Sequence, residues 1–575
     1  LFPSLVWSMA SHAYDRVLGS MTVRHVDGQL VDVVRGEVFP ACVNFREGKV
    51  VGIERKIAAP MRYILPGLID AHVHIERSLL TPCRFAELAV AHGTAAVVAD
   101  PREAANVAGR AGAEYILKDG KSTPLRFYLS VPSSGPPSSA GTNEGVIGWK
   151  EVRDMLSTED FVSLGEIVNV EGVLGEDPEV MSKIEVAAQL GKRVDGHAPG
   201  LRGYDLDRYI MAGISNEHEC ADPREAEEKH RKGMTIMVRE GSAGGNLDAL
   251  LPFALRNKHI LVTGGLRADD MPEGHMDSLL RKAVEKGMDP IHAVRAATLW
   301  PAEHYGLNGG SVEVDGPADL TVVSDLKTFN VLETWIDGQM VAKDGTALFA
   351  CAPTAVPPET VHSTIDPQLL RVASRRPTAS VRIIQAMPDK VSSGSMVAEM
   401  GVHEGIIDAD PSRDILLIAV VGRHRPAEPA VAFINGFGLY RGAFASSVSC
   451  DSHDLIGVGT SSTLLAQAMN AVAAQGGGYY ATDGVDSVRL ELPVLGLMSA
   501  DPWQEVIRKA REITEFLRSM GCPLPAPFVT LSYQTLLTAP ELKIGELGLV
   551  DTIRGIPVSP VVGEGELALI KDTSP

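Results

Sequence analysis

The chain runs to 575 residues, 45% hydrophobic and 22% charged, which is the balance of a folded globular protein and too much chain for one ordinary core. A formal net charge of −20, an aromatic content of only 5% and no basic stripe argue against a nucleic-acid surface and favour a small or neutral substrate. The six cysteines, Cys42, Cys83, Cys220, Cys351, Cys450 and Cys522, form no C-x-x-C pair, so neither a disulfide framework nor a thiolate zinc site is expected, and a reducing cytoplasm fits.

The opening LFPSLVWSMA is apolar but short, interrupted by Pro3 and without a basic leader, so it does not read as a signal peptide; Met9 or Met21 is a candidate initiator. From Met21 to residue 61, β-branched runs alternate with D-G, R-G and E-G-K turns, the pattern of short antiparallel strands. Between residues 62 and 265 eight runs follow: RYILPGLIDAHVH, TAAVVAD, RFYLSVPSS, FVSLGEIV, RVDGHA, GISNEHE, MTIMVRE and HILVTGG. Each starts apolar and ends in polar or ionisable residues. Helical patterns lie between several of them, such as DSLLRKAVEKG, in which Leu279, Leu280, Ala283 and Val284 share a face. These repeats predict a (β/α)8 barrel over 62–308, with the polar strand ends converging on an active site at its C-terminal face.

Residues 309–350 return to β character and are expected to pair with 21–61 as one small β domain. Residues 351–379, with Pro353, Pro357 and Pro358, read as a linker, and 380–575 as an α+β domain. There, helical LLAQAMNAVAAQ precedes GGG at 476–478, a glycine run without a phosphate-binding context that reads as a helix-to-strand turn. The longest apolar run, ILLIAVV at 415–421, is far short of the roughly 20 residues of a membrane helix, so no membrane partner is expected.

The chemistry starts at LPGLIDAHVHIERS, residues 65–78. His72 and His74 are spaced i and i+2 on a strand, so both imidazoles point to one face and can reach one metal ion. Later strand ends offer Glu166, His197 and His218 at comparable places in their repeats. Imidazole and carboxylate suit zinc, manganese or iron, and two ions bridged by a carboxylate can activate a water, which gives metal-assisted hydrolysis as the reaction class. The plainer alternative is ordinary polar packing, with His218 as a hydrogen-bonded neighbour and Glu166 as the partner of a cation.

PGLIDAHVHIERSLLTP, REGSA at 239–243, EGHMDSLLRKAVEKG at 273–287 and GFGLYRGAFASSVSCDSHDLIGVGTS at 436–461 resemble bacterial adenine deaminases, a branch of the amidohydrolase superfamily. The likeness spans about residues 21–553 and includes a C-terminal domain that most amidohydrolases lack. It implies hydrolysis of adenine to hypoxanthine and ammonia in purine salvage, at a binuclear manganese or iron centre, with zinc as a further option. It also implies a cytoplasmic homo-oligomer, dimeric or larger. His72 and His74 match the family's H-x-H pair, Glu166 its bridging glutamate, and His197 and His218 its strand-five and strand-six histidines. In that scheme water attacks C6 of the purine, His218 binds or orients the water, and a general acid protonates the departing amine.

Four departures accompany the likeness. The family's T-D-D or T-D-G after strand eight reads Thr263, Gly264, Gly265, which removes a metal ligand and the general base; such a loss costs at least about 10²- to 10⁴-fold in rate. Asp269 and Asp270, a few residues on, are the candidates to fold back in its place. The family's D-P-H-E reads Asp100, Pro101, Arg102, Glu103, and an arginine stays protonated and cannot ligate as imidazole does. H-D-S-H reads Cys450, Asp451, Ser452, His453, and E-S-S reads Glu76, Arg77, Ser78. Three functions are therefore set against one another: an adenine deaminase impaired at Gly264, an amidohydrolase acting on another cyclic amidine or amide with Arg77 and Arg102 favouring an acidic substrate, and a non-catalytic purine-binding paralogue.

Overall fold

Eight short parallel strands follow one another round a curled sheet: Leu68–Val73, Thr94–Ala99, Arg126–Val131, Phe161–Ile167, Arg193–Gly196, Asn216–Glu217, Thr235–Arg239 and Ile260–Val262. The computed structural model describes residues 23–133, 146–242, 244–352, 354–357, 364–388, 390–423 and 428–563. The opening stretch, Met9, Met21, Pro353 and Pro358 lie outside the described residues. Each of the eight runs read from the sequence contains one of these strands. They are buried along nearly their whole length, because a parallel barrel is covered on both faces, and so they read as continuous apolar runs rather than alternating ones. The arcs join through Ser215 N donating to Val194 O and Gly264 N to His72 O, both 2.9 Å, the second closing strand eight onto strand one. The fold is the expected (β/α)8 barrel with additional domains.

The first run does not remain one strand. Tyr63–Pro66 joins a separate eight-stranded sheet, antiparallel to Leu320–Val323 and parallel to Arg24–Asp32, and the barrel strand begins only at Leu68. Gly67 lies at the division, where a Cβ would sit 2.4 Å from that of Ala95. The eight-stranded sheet draws strands from both sides of the barrel in the chain, Arg24–Asp32 to Tyr63–Pro66 and Leu320–Val323 to Thr346–Ala347.

Beyond residue 370 a ten-stranded, mostly antiparallel sheet packs under the helix Ser462–Ala474, which buries Leu465, Ala466, Ala468, Met469 and Val472. The 415–421 run supplies its fully buried strand Leu416–Val421, and of the 476–478 glycines the first two lie between that helix and the strand Gly478–Thr482, which the third begins. This part meets the barrel mouth directly: Ser499 N donates to Leu79 O at 2.8 Å and Asn106 Nδ2 to Asp451 O at 3.0 Å. Among the described residues no helix is long and apolar enough to cross a membrane.

One expectation is overturned. Cys83, in the helix Pro82–Ala91, and Cys351 form a disulfide, where the cysteine spacing led us to expect none. The partners are 268 residues apart in sequence, so only the folded path of the chain brings them together.

A buried ion-pair network holds two of the strand ends. Lys229 Nζ donates to Glu217 Oε2 (2.9 Å), Glu225 Oε1 (2.7 Å) and the Ala198 carbonyl (2.7 Å). Glu217 in turn accepts the backbone N–H groups of Ala198, His218 and Glu219, clamping the residues that follow strands five and six. Removing one member of such a network strands buried charge. Lys229→Met is therefore expected to lower the unfolding free energy by about 3–5 kcal/mol, measured from the urea unfolding midpoint, and a change within about 0.5 kcal/mol, the scale of a plain surface substitution, would contradict that role.

Candidate metal centre

His72 is the penultimate residue of strand one and His74 follows its end, Glu166 lies near the end of strand four, and His197 and His218 stand just after strands five and six. The barrel thus brings all five to one place. Glu166, 3% exposed, is the centre of the group. Its Oε1 lies 2.9 Å from His74 Nε2, 3.1 Å from His72 Nε2 and 3.6 Å from His218 Nε2, and its Oε2 lies 3.3 Å from His197 Nδ1. Two overlapping sets of donor atoms, each within 4.8 Å, share this carboxylate: His72, His74 and Glu166, and Glu166, His197 and His218.

The protonation states of His74, His218 and Glu166 suit metal ligation, while His197 is shifted the other way. Burial, with the Arg77 charge second, pushes His74 down to about 4, and burial with the neighbouring His72 holds His218 well below its ordinary range. Burial alone would raise Glu166, but His218, His197, His72 and His74 outweigh it and hold the carboxyl well below the usual range. For His197 the Glu166 carboxylate prevails over burial and raises the imidazole.

Hydrogen bonding makes the fit more specific. His74 Nδ1 stands 3.0 Å from the Asp100 carbonyl, which can only accept, so Nδ1 carries the proton and Nε2 is left with its lone pair. That lone pair faces Glu166 Oε1 at 2.9 Å, two acceptors opposed, an arrangement that a cation between them relieves. His72 Nε2 and His197 Nδ1 are buried and lack a well-directed hydrogen bond although a Glu166 oxygen is within 3.3 Å of each. The donor set therefore fits a divalent ion, and the fixed tautomer at His74 is the usual way such ligands are aimed.

Charged neighbours complete the site. Arg102 Nη1 approaches Glu166 Oε2 at 3.3 Å, while Nη2 pairs with Asp451 from the C-terminal part. Glu103 Oε2 meets His453 Nε2 at 2.5 Å, so His453 reaches the barrel mouth through that glutamate. Cys450 lies 3.6 Å from Ser532 Oγ, its thiol pushed up to about 12 by burial first, and it belongs to neither donor set.

At strand eight, Thr263 Oγ1 donates to Asp70 Oδ2 at 2.5 Å and Gly264 follows with φ +68°. A Cβ at Gly264 would meet Arg239 Cδ at 2.3 Å and Cγ at 2.9 Å. Arg239, the arginine of REGSA, pairs with Glu219 Oε1 at 2.5 Å, and that oxygen lies 3.6 Å from His218 Nε2. Asp269 and Asp270 are not brought to the cluster: they face Arg267 at 3.5 and 3.1 Å, and neither enters a donor set. The guanidinium nearby in sequence captures both. Sequence reasoning assigned no role to Glu219 and Arg239; the signals were Glu219 following His218 directly in NEHE and Arg239 opening the REGSA motif.

A model described as the amidohydrolase family matches residues 63–341, and one described as the adenine deaminase C-terminal domain matches 391–555. An adenine deaminase of Salinibacter ruber is 40% identical over 531 residues, 92% of this chain and 97% of that protein. One of Methanothermobacter thermautotrophicus is 39% identical over 92% of this chain and 98% of its own length, and one of Methanosarcina barkeri 40% identical over 92% and 97%.

Restoring an acidic side chain at strand eight is expected to fail on steric grounds. Gly264→Asp should cost about 1–3 kcal/mol through overpacking against Arg239, and Gly264→Asp combined with Arg239→Ala should recover part of that loss. Thermal unfolding of the two variants checks this; a single variant as stable as the parent would show that Arg239 does not fill the space.

Proposed function

The chain belongs to the adenine deaminase family of amidohydrolases, and we propose that it hydrolyses the exocyclic amine of adenine, giving hypoxanthine and ammonia. The observation that carries the reading is the convergence of four imidazoles on the buried Glu166 carboxylate at the barrel's C-terminal face. His72, His74, Glu166, His197 and His218 would hold manganese, iron or zinc, all compatible with imidazole and carboxylate donors. Bound there, such an ion supplies Lewis acidity and lowers the pKa of water.

The remaining work belongs to the chain. The Asp100 carbonyl fixes the His74 ring, and the Glu217–Lys229 network fixes the backbone on either side of His197 and His218. His218 Nε2, facing Glu166 Oε1 and Glu219 Oε1 at 3.6 Å each, is the imidazole placed to orient the hydrolytic water. Glu219 is held by Arg239, in the volume that a strand-eight carboxylate would need. In this reading residues 62–308 carry the chemistry and residues 380–575 cover its mouth.

The acidic-substrate alternative, which rests on Arg77 and Arg102, loses the second of these, because Arg102 is engaged by Glu166 on one side and Asp451 on the other and is not free to recruit an anion. The reading includes a homo-oligomer acting in the cytoplasm, a compartment to which the Cys83–Cys351 disulfide lends no support.

Purified chain supplied with Mn²⁺ is expected to convert adenine to hypoxanthine, followed chromatographically. Glu166→Gln should lose both turnover, by at least about 10²-fold, and retained metal. Absence of hypoxanthine with manganese, iron and zinc alike would overturn the adenine reading.

A further inference from the structure

The two oxygens of Glu166 face different surroundings. Oε1 sees only imidazole nitrogens, from His74, His72 and His218 at 2.9, 3.1 and 3.6 Å. Oε2 sees His197 Nδ1 and Arg102 Nη1, each at 3.3 Å. A guanidinium keeps its charge at any working pH, so at Oε2 it competes permanently with a metal ion.

Arg102 is built into this position. Its side chain is 14% exposed, and its other terminal nitrogen pairs with Asp451, whose backbone carbonyl accepts from Asn106 Nδ2 at 3.0 Å. It is also the first residue of the helix Arg102–Gly120, where the helix dipole disfavours a cation. The carboxylates of Glu166 and Asp451 are what hold it there. Strand eight adds no competing ligand, since Gly264 has no side chain and Arg239 fills the adjoining volume.

We propose that Arg102 takes the place of a second cation beside Glu166 Oε2, so that the site holds a single divalent ion in the set formed by His72, His74 and Glu166 Oε1. This deepens the metal reading above and rests on it. Glu166 is then neutralised from both sides, by an ion at Oε1 and by a fixed guanidinium at Oε2. Asp451 makes that arrangement dependent on the C-terminal part of the chain.

The test counts metal without reference to activity. The full chain is equilibrated with excess Mn²⁺, freed of unbound ion, and examined by elemental analysis and electron paramagnetic resonance. One Mn²⁺ per chain with an uncoupled six-line spectrum is expected. Arg102→Gln removes the charge and retains most of the size; it should double the bound Mn²⁺ and give the broadened spectrum of a coupled pair. Asp451→Asn, which loosens Arg102 without replacing it, should move the count in the same direction and serves if Arg102→Gln does not fold. Two coupled ions in the unaltered chain would overturn the proposal while leaving the metal reading intact. A count of one that neither variant raises would overturn the role of Arg102. No bound ion in any of the three would overturn the metal reading itself.

Discussion

A carboxylate that is 3% exposed stays ionised only if its surroundings supply what water would have supplied. Glu166 is that group here, and the arrangement of the barrel mouth follows from its needs. Four imidazoles and a guanidinium, from four separate strand ends or the turns after them, point at its two oxygens. Its backbone is secured as well: Ser133 Oγ donates to its carbonyl, and its N–H points to Asp100 Oδ2 at 3.4 Å. Burial first, and Glu166 second, raise the Asp100 carboxyl well above its ordinary range. Asp100 therefore tends to keep its proton, which removes one negative charge from beside Glu166.

The barrel can deliver these groups because its strand ends are fixed by polar contacts separate from the site. Asp195 accepts from Ser130, Ser163, Asn216 and Tyr305 inside the barrel, tying strands three to six together below the cluster. Glu217 acts on the other face of strand six, gathering three backbone N–H groups and the Lys229 ammonium of the neighbouring helix. The aim of His197 and His218 depends on interactions made by residues that touch no ligand.

Much of this is legible in the sequence, for physical reasons. Strands buried on both faces produce the continuous apolar runs that mark the eight repeats, and a site at their ends gathers ionisable residues at or near the end of several of them. His72, His74, Glu166, His197 and His218 can be picked out for that reason. What is not legible depends on distance along the chain or on backbone detail. The Cys83–Cys351 pair spans 268 residues. Arg102 and Glu166 are 64 residues apart, and Arg102 and Asp451 are 349 apart. The division of the first run at Gly67 arises from the close approach of Ala95, and the space beyond Gly264 is taken by a residue 25 positions earlier in the chain. Local pattern carries none of these.

Two of the four departures from the family motif gain a common meaning when charge is followed through them. Arg102 stands where the motif has a neutral imidazole, which adds one unit of positive charge beside Glu166. Gly264 stands where it has an aspartate, which removes one unit of negative charge from the same mouth. Together they shift the local balance by the charge of one divalent ion. A site with both changes and two ions would carry an excess that the single buried carboxylate could not offset. At these two positions one ion restores the balance of the unmodified motif; Arg77, where the motif has a serine, adds a further positive charge outside that count. The substitutions at 102 and 264 are then two halves of one change, and Asp451, reaching in from the C-terminal part to hold Arg102, is the third residue on which it depends.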